Sequence, residues 1–284
     1  MQNLTLTVVL GVDAQPNQLG PISQVAQAHS AHLIVLLLSE VPPVPVYSIG
    51  IGELSSYSLP TGWQADVDAA REALDVRREK ISQYLADQGT SADVRAVCGE
   101  VSGLRNAVAR AGLTCDALVM GDDLRKDERL FDDIMHAALF DSAAPVVLNA
   151  TNVEAALSPQ SVFVAWKAGI PAARALRAAL PILRGAREVT VALFDPVSTS
   201  ADDGENPGTD VAAWLSHQGC RVAVQQYSSG GQEIGVAIMK RAKEAGADLI
   251  VMGAYDHSRL REMVFGGTTR TLIEQDTCAV LLSH

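Results

Sequence analysis

The sequence predicts an α/β protein made of two tandem domains, each a doubly wound, five-stranded parallel sheet. Three observations carry this. Short apolar runs alternate with amphipathic helical stretches, the alternation passes through twice, and the second passage repeats segments of the first. The matches are direct: DALVMG at 116–121 answers DLIVMG at 248–253, and APVVL at 144–148 answers CAVLL at 278–282. A chain of 284 residues suits two domains, each long enough to enclose a core.

In the first passage the strand-like runs are 6–12, 33–38, 94–98, 117–120 and 146–148. Helical patterns lie between them near 22–29, 67–85, 104–111 and 130–139. The second passage offers strands at 162–166, 189–194, 222–226, 249–252 and 279–282. Runs that are apolar without alternation are what strands covered on both faces require, and helices between them supply the cover. The second copy is the shorter one. Where the first has a Pro-rich loop, VPPVPVYSIGIGELSSYSLP, and a long charged helix, the second has DPVSTSADDGENPGTD and a short helix near 211–217. The apolar content of the Pro-rich insertion (Val44, Val46, Tyr47, Ile49, Ile51, Leu54) points to a packed, interface role. The division expected is a first domain at 1–150, a linker at 151–160 and a second domain at 161–284.

Composition narrows the function classes. A net charge of −11 repels polyanions, so neither nucleic acid nor an anionic membrane is an expected partner. The N-terminal apolar run has no basic segment before it and reads as a strand, and no apolar stretch is long enough to span a bilayer. A cytoplasmic location is expected. Cys98, Cys115, Cys220 and Cys278 stand far apart and read as buried thiols in a reducing compartment. The six histidines show no metal-ligand spacing. No nucleophile–histidine–acid order and no GxxxxGK[ST] loop is present, so no catalytic residue is assigned and the protein is expected not to be an enzyme.

One segment is specific. MGAYDHSRLREMVFGGTTR at 252–270 resembles the phosphate-loop signature of universal stress proteins: Gly, two residues, Gly, nine residues, then Gly followed by Ser or Thr. The resemblance implies flavodoxin-like (Rossmann-like) domains of strand order 3-2-1-4-5. It also implies that the last strands, 146–148 and 279–282, pair across a pseudo-dimer, so the tandem chain makes internally the dimer that single-domain relatives make between chains. ATP-binding members of the family place adenine near an Asp at the end of the first strand and the triphosphate on the Gly loop. Glycines let backbone N–H groups approach phosphate, and a helix amino end adds positive potential.

Carried over residue by residue, Gly253 and Gly266 match the first and last glycines. Asp256 takes the place of the middle glycine and Gly267 that of the Ser/Thr, with Thr268 and Thr269 following to supply hydroxyls. His257, Arg259 and Arg261 add positive charge, and Lys167 replaces the adenine-side Asp. The first copy keeps that Asp as Asp13 but only Gly121 of the loop. It gathers Asp122, Asp123, Asp127, Glu128, Asp132 and Asp133 against Arg125, Lys126 and Arg129. So many carboxylates repel a triphosphate, and no nucleotide is expected there.

The expectation is a regulatory or binding protein of the stress response, taking ATP or another phosphate-bearing ligand in the C-terminal domain. The residues expected at that site are Gly253, Asp256, Arg259, Gly266, Gly267, Thr268, Thr269 and Lys167. The alternative is an interaction protein whose sites have decayed and which acts through protein partners; nucleotide hydrolysis ranks third. A homodimer of the tandem chain and further protein partners are compatible with either of the first two. Against these readings stand plainer ones: turn glycines and helix caps for the loop, a turn residue for Asp13, a solvated side chain for Lys167, and core packing for Trp63 and Trp166.

Overall fold

The computed structural model describes residues 4–42, 62–149, 153–197, 206–254 and 266–284. The first half runs β1 (Thr5–Gly11), α1 (Gly20–Ala28), β2 (His32–Glu40), α2 (Trp63–Asp87), β3 (Ala92–Gly99), α3 (Val101–Ala111), β4 (Ala117–Met120), α4 (Glu128–Phe140) and β5 (Val146–Leu148). After a short α5 (Val153–Leu157), the second half runs β6 (Ser161–Ala165), α6 (Ile170–Gly185), β7 (Glu188–Phe194), α7 (Thr209–His217), β8 (Val222–Tyr227), α8 (Ile234–Glu244), β9 (Leu249–Gly253), α9 (Gly267–Glu274) and β10 (Ala279–Ser283). The segment 151–160, expected as a linker, thus contains a helical turn. Ala156 and Leu157 are buried, and Ser158 Oγ lies 2.9 Å from His29 Nε2 at the end of α1.

All ten strands of the described residues form one sheet, in the order β3-β2-β1-β4-β5-β10-β9-β6-β7-β8. Each half therefore has the order 3-2-1-4-5. Every neighbouring pair is parallel except one: β5 and β10 pair antiparallel, with Val146 opposite Leu282, Val147 opposite Leu281 and Leu148 opposite Val280. All six side chains are buried. The apolar runs behave as strands covered on both faces should: β2 is buried at seven consecutive positions, His32 and Glu40 at its ends being half-buried. The two edge strands, β3 and β8, are only half-buried and carry polar residues such as Asp93, Arg95, Gln225 and Gln226.

Alternation along each strand divides the interior into two layers. One is filled by Val8, Val35, Val147, Val164, Val251 and Leu281 with α1, α2, α5, α6 and α7. The other holds Leu36, Leu118, Leu148, Phe163, Ile250 and Leu282 with α3, α4, α8 and α9. Both layers run across the β5–β10 pair without a break, so the halves share their core. The difference in length between the copies lies where the sequence located it: α2 has 25 residues and α7 has nine. Trp63 opens α2 and donates its indole N–H to Pro42 O at 2.8 Å. Of the Pro-rich insertion at 41–60, with its proposed interface role, all but Val41 and Pro42 falls outside the described residues.

Polar contacts pin the halves together. Arg125, in a 3-10 turn at Asp122–Lys126, donates to the Ile273 carbonyl near the end of α9 and to Asn149 Oδ1 at 3.2 Å. A guanidinium at a helix carboxyl end satisfies an orphan carbonyl and complements the helix dipole. Asn149 is buried in a left-handed conformation and donates to the Cys278 carbonyl. Arg270 of α9 reaches Glu128 of α4 at 3.6 Å. The cysteines form no disulfide; Cys220 is buried but Cys98, Cys115 and Cys278 are only half-buried, which corrects the expectation of four buried thiols. Among the described residues no helix is long and apolar enough to cross a membrane.

Candidate functional site at the strand carboxyl ends

In a doubly wound sheet the place for a ligand is the crevice at the strand carboxyl ends, where the chain turns away in opposite directions. The fold repeats that crevice, between β1 and β4 in the first half and between β6 and β9 in the second. The two copies have been treated differently.

In the first half the crevice is filled from within. The 3-10 turn after β4 swings Asp123 back over the strand ends, and its Oδ2 accepts the Gly11 N–H at 2.7 Å. Asp123 is only 9% exposed. Burial pushes its carboxyl up to about 6, against the opposing pull of the Gly11 hydrogen bond. The fit leaves no space: a Cβ on Gly121 would lie 2.5 Å from Asp123 Oδ1, and one on Gly11 2.9 Å from Oδ2. Asp13, which the resemblance sets on the adenine side, sits in the turn after β1 and pairs with Lys126 at 3.5 Å, both side chains well exposed. Beside this plug, burial raises Asp122 and lowers Arg125, and it outweighs their attraction across 3.9 Å.

In the second half Lys167 follows β6 and is exposed, while Gly253 closes β9. Gly253 has a packing reason to be glycine. Its missing side chain would point into the first turn of α6, onto the Ala172 backbone nitrogen and within 2.5 Å of the Pro171 carbonyl carbon. The strand end and the helix amino end touch backbone to backbone, a contact that any larger residue would push apart.

Gly266 is the N-cap of α9, extended at φ −62° and ψ 150°, and both it and Gly267 are exposed. Thr268 is half-buried. Thr269 turns its side chain into the core at 4% exposure, so of the two hydroxyls the sequence offered, only that of Thr268 lies near the surface. Asp256, His257, Arg259 and Arg261 fall outside the described residues. Gly253 thus closes β9, Lys167 lies two residues beyond the adjacent strand β6, and Gly266 to Thr269 form the N-cap and first residues of α9.

Sequence reasoning missed Glu233. It is the N-cap residue of α8, and its carboxylate lies beside the first turn of α9, accepting the Thr271 hydroxyl at 3.2 Å. A Cβ on Gly267 would fall 2.7 Å from Glu233 Oε1. The available signal was a glutamate directly before the helix in both copies, Glu100 before α3 and Glu233 before α8. Among the described residues no group of His, Cys, Asp or Glu is arranged to hold a metal ion.

Comparison with known proteins agrees with this architecture. Residues 160–284 match the model of the universal stress protein family. Among solved structures, a universal stress protein from Archaeoglobus fulgidus superposes with a TM-score of 0.65 at 17% identity, over 98% of this chain and 97% of that one. A putative universal stress protein from Pseudomonas aeruginosa superposes with a TM-score of 0.54 at 15% identity, over 99% and 93%. At these identities the likeness is one of fold, and it extends over both halves. No curated protein matches the chain.

Proposed function

We propose, from a chain whose residues 160–284 are a universal stress protein domain within a tandem of that fold, that it is a cytoplasmic binding protein of the stress response. It takes a phosphate-bearing ligand, ATP among the candidates, in the second half only, and carries out no catalysis. The observation behind this reading is the contrast between the two crevices. In the first, Asp123 supplies the anion and fills the space; in the second, Gly266 and Gly267 at the amino end of α9 remain exposed. The positive potential at a helix amino end attracts anions, and Lys167 adds positive charge on the same side of the sheet.

The test is a thermal-shift titration with ATP, ADP, AMP and cyclic AMP, with and without magnesium, because a ligand of the folded state must raise the melting temperature. A saturable rise that Gly266→Asp abolishes and Asp256→Gly strengthens supports the reading. A flat response to all four nucleotides refutes it. The second reading, an interaction protein with decayed sites, draws on two observations. Packing alone accounts for Gly253, and the Glu233 carboxylate already stands beside α9.

A further inference from the structure

The shortening of the second copy has a local consequence on the face opposite α8 and α9. Between α6 and the nine-residue α7 lies a half-open cavity of about 160 Å³. Trp166, just past β6, and Trp214 of α7 wall it, and Leu176 and Val211 give it an apolar floor. Two charged residues complete the lining, Arg177 from α6 and Asp210 from the first turn of α7. Arg177 lies over the Trp214 ring, 5.7 Å from its centroid, and donates a long hydrogen bond to its own helix, to Ala173 O at 3.5 Å. Asp210 accepts the N–H of Val211 at 2.8 Å. Neither makes an ion pair with a described residue, although both border the same small space.

We propose that this cavity binds a small apolar amino acid as its zwitterion. The volume suits a molecule the size of leucine, and the indoles, Leu176 and Val211 suit its side chain. Arg177, placed over the Trp214 ring, meets the carboxylate with its guanidinium. Asp210, oriented by its own helix terminus, meets the ammonium. Opposite charges at the rim of an apolar pocket select a ligand carrying both, since one lacking either leaves a charge unmatched. This site lies on the other face from α9 and does not depend on phosphate binding.

The cavity reports on itself through two of the chain's three tryptophans. Titration of the whole protein with L-leucine should give a saturable change in tryptophan emission, matched by heat in calorimetry. Arg177→Gln and Asp210→Asn, both at exposed positions, should each weaken binding by about tenfold or more, the loss expected for a charge-assisted hydrogen bond. 4-Methylpentanoate, which lacks the ammonium, and 3-methylbutylamine, which lacks the carboxylate, should bind more weakly by a similar factor. Trp63→Phe, far from the cavity on α2, should keep the signal. The proposal is overturned if L-leucine, L-isoleucine and L-phenylalanine all give no saturable change. It is equally overturned if the singly charged analogues bind as well as leucine, if both charge variants bind unchanged, or if the signal vanishes with Trp63.

Discussion

Asp123 makes the stability of this protein depend on pH in an unusual sense. A carboxylate paired in the folded state ordinarily stabilises above its unfolded pKa; Asp123 does the reverse, because burial raises it from 3.8 to about 6. Between those values the folded chain holds a proton that the unfolded chain has released, so unfolding free energy falls as pH rises through that window and levels off above it. A carboxyl displaced this far lowers the unfolding free energy by about 3 kcal/mol in all, about 2–2.5 kcal/mol of it between pH 4 and pH 7. Replacing Asp123 with Asn keeps an acceptor for the Gly11 N–H while removing the charge. The variant should therefore lose this slope and, after allowance for a weaker hydrogen bond, exceed the parent by about 1–2 kcal/mol at pH 7.5. Urea melts of both proteins at pH 4.5 and 7.5 measure the difference directly. Equal pH dependence in the two, or a variant no more stable than the parent at pH 7.5, would refute the account of a desolvated plug.

Two glycines in the same fold should respond oppositely to a methyl group. Gly253→Ala drives a Cβ onto the backbone of α6 and should cost about 1–3 kcal/mol or more, whereas Gly103→Ala, in α3 with open space around it, should gain about 0.5–1 kcal/mol. Denaturant midpoints of the pair separate close packing from a general sensitivity of glycines. Removing the cross-half clamp by Arg125→Met leaves the Ile273 carbonyl and Asn149 short of a donor and should cost about 2–4 kcal/mol in urea unfolding.

Much of the fold was legible because strand runs and helical periods are local signals. All ten strand segments read from the sequence agree with the observed strands to within about two residues at each end, the largest differences being at β2 and β3. β1 stops at Gly11, where the chain turns to meet Asp123. The pairing of β5 with β10, expected from the resemblance, is antiparallel, and it buries Val147 and Leu281 on a seam with no solvent face. The site was less legible because its geometry depends on contacts between distant segments. The sequence presents six carboxylates after β4 as a diffuse repulsive field; the structure turns one of them, Asp123, inward and leaves Asp13 to pair with Lys126 outside. Gly253 fits a phosphate-loop pattern by spacing, yet its neighbour is Ala172, whose approach no local pattern announces. Arg125 looked like one basic residue among acids, and only the assembled seam gives it a partner in the other half.

That seam also governs how the two crevices could come to differ. In a symmetric dimer of separate chains every substitution appears twice, at positions related by the two-fold axis. Here Val147 faces its own counterpart Leu281 across the pseudo-two-fold axis, so equivalent positions already hold different residues. Joining the copies in one chain keeps them together without requiring each to be the other's mirror. One crevice could close around Asp123 while the other kept its glycines, and one helix could shrink to nine residues while its counterpart kept 25. Covalent continuity thus frees each copy to specialise, and the single sheet keeps the diverged pair one folded body.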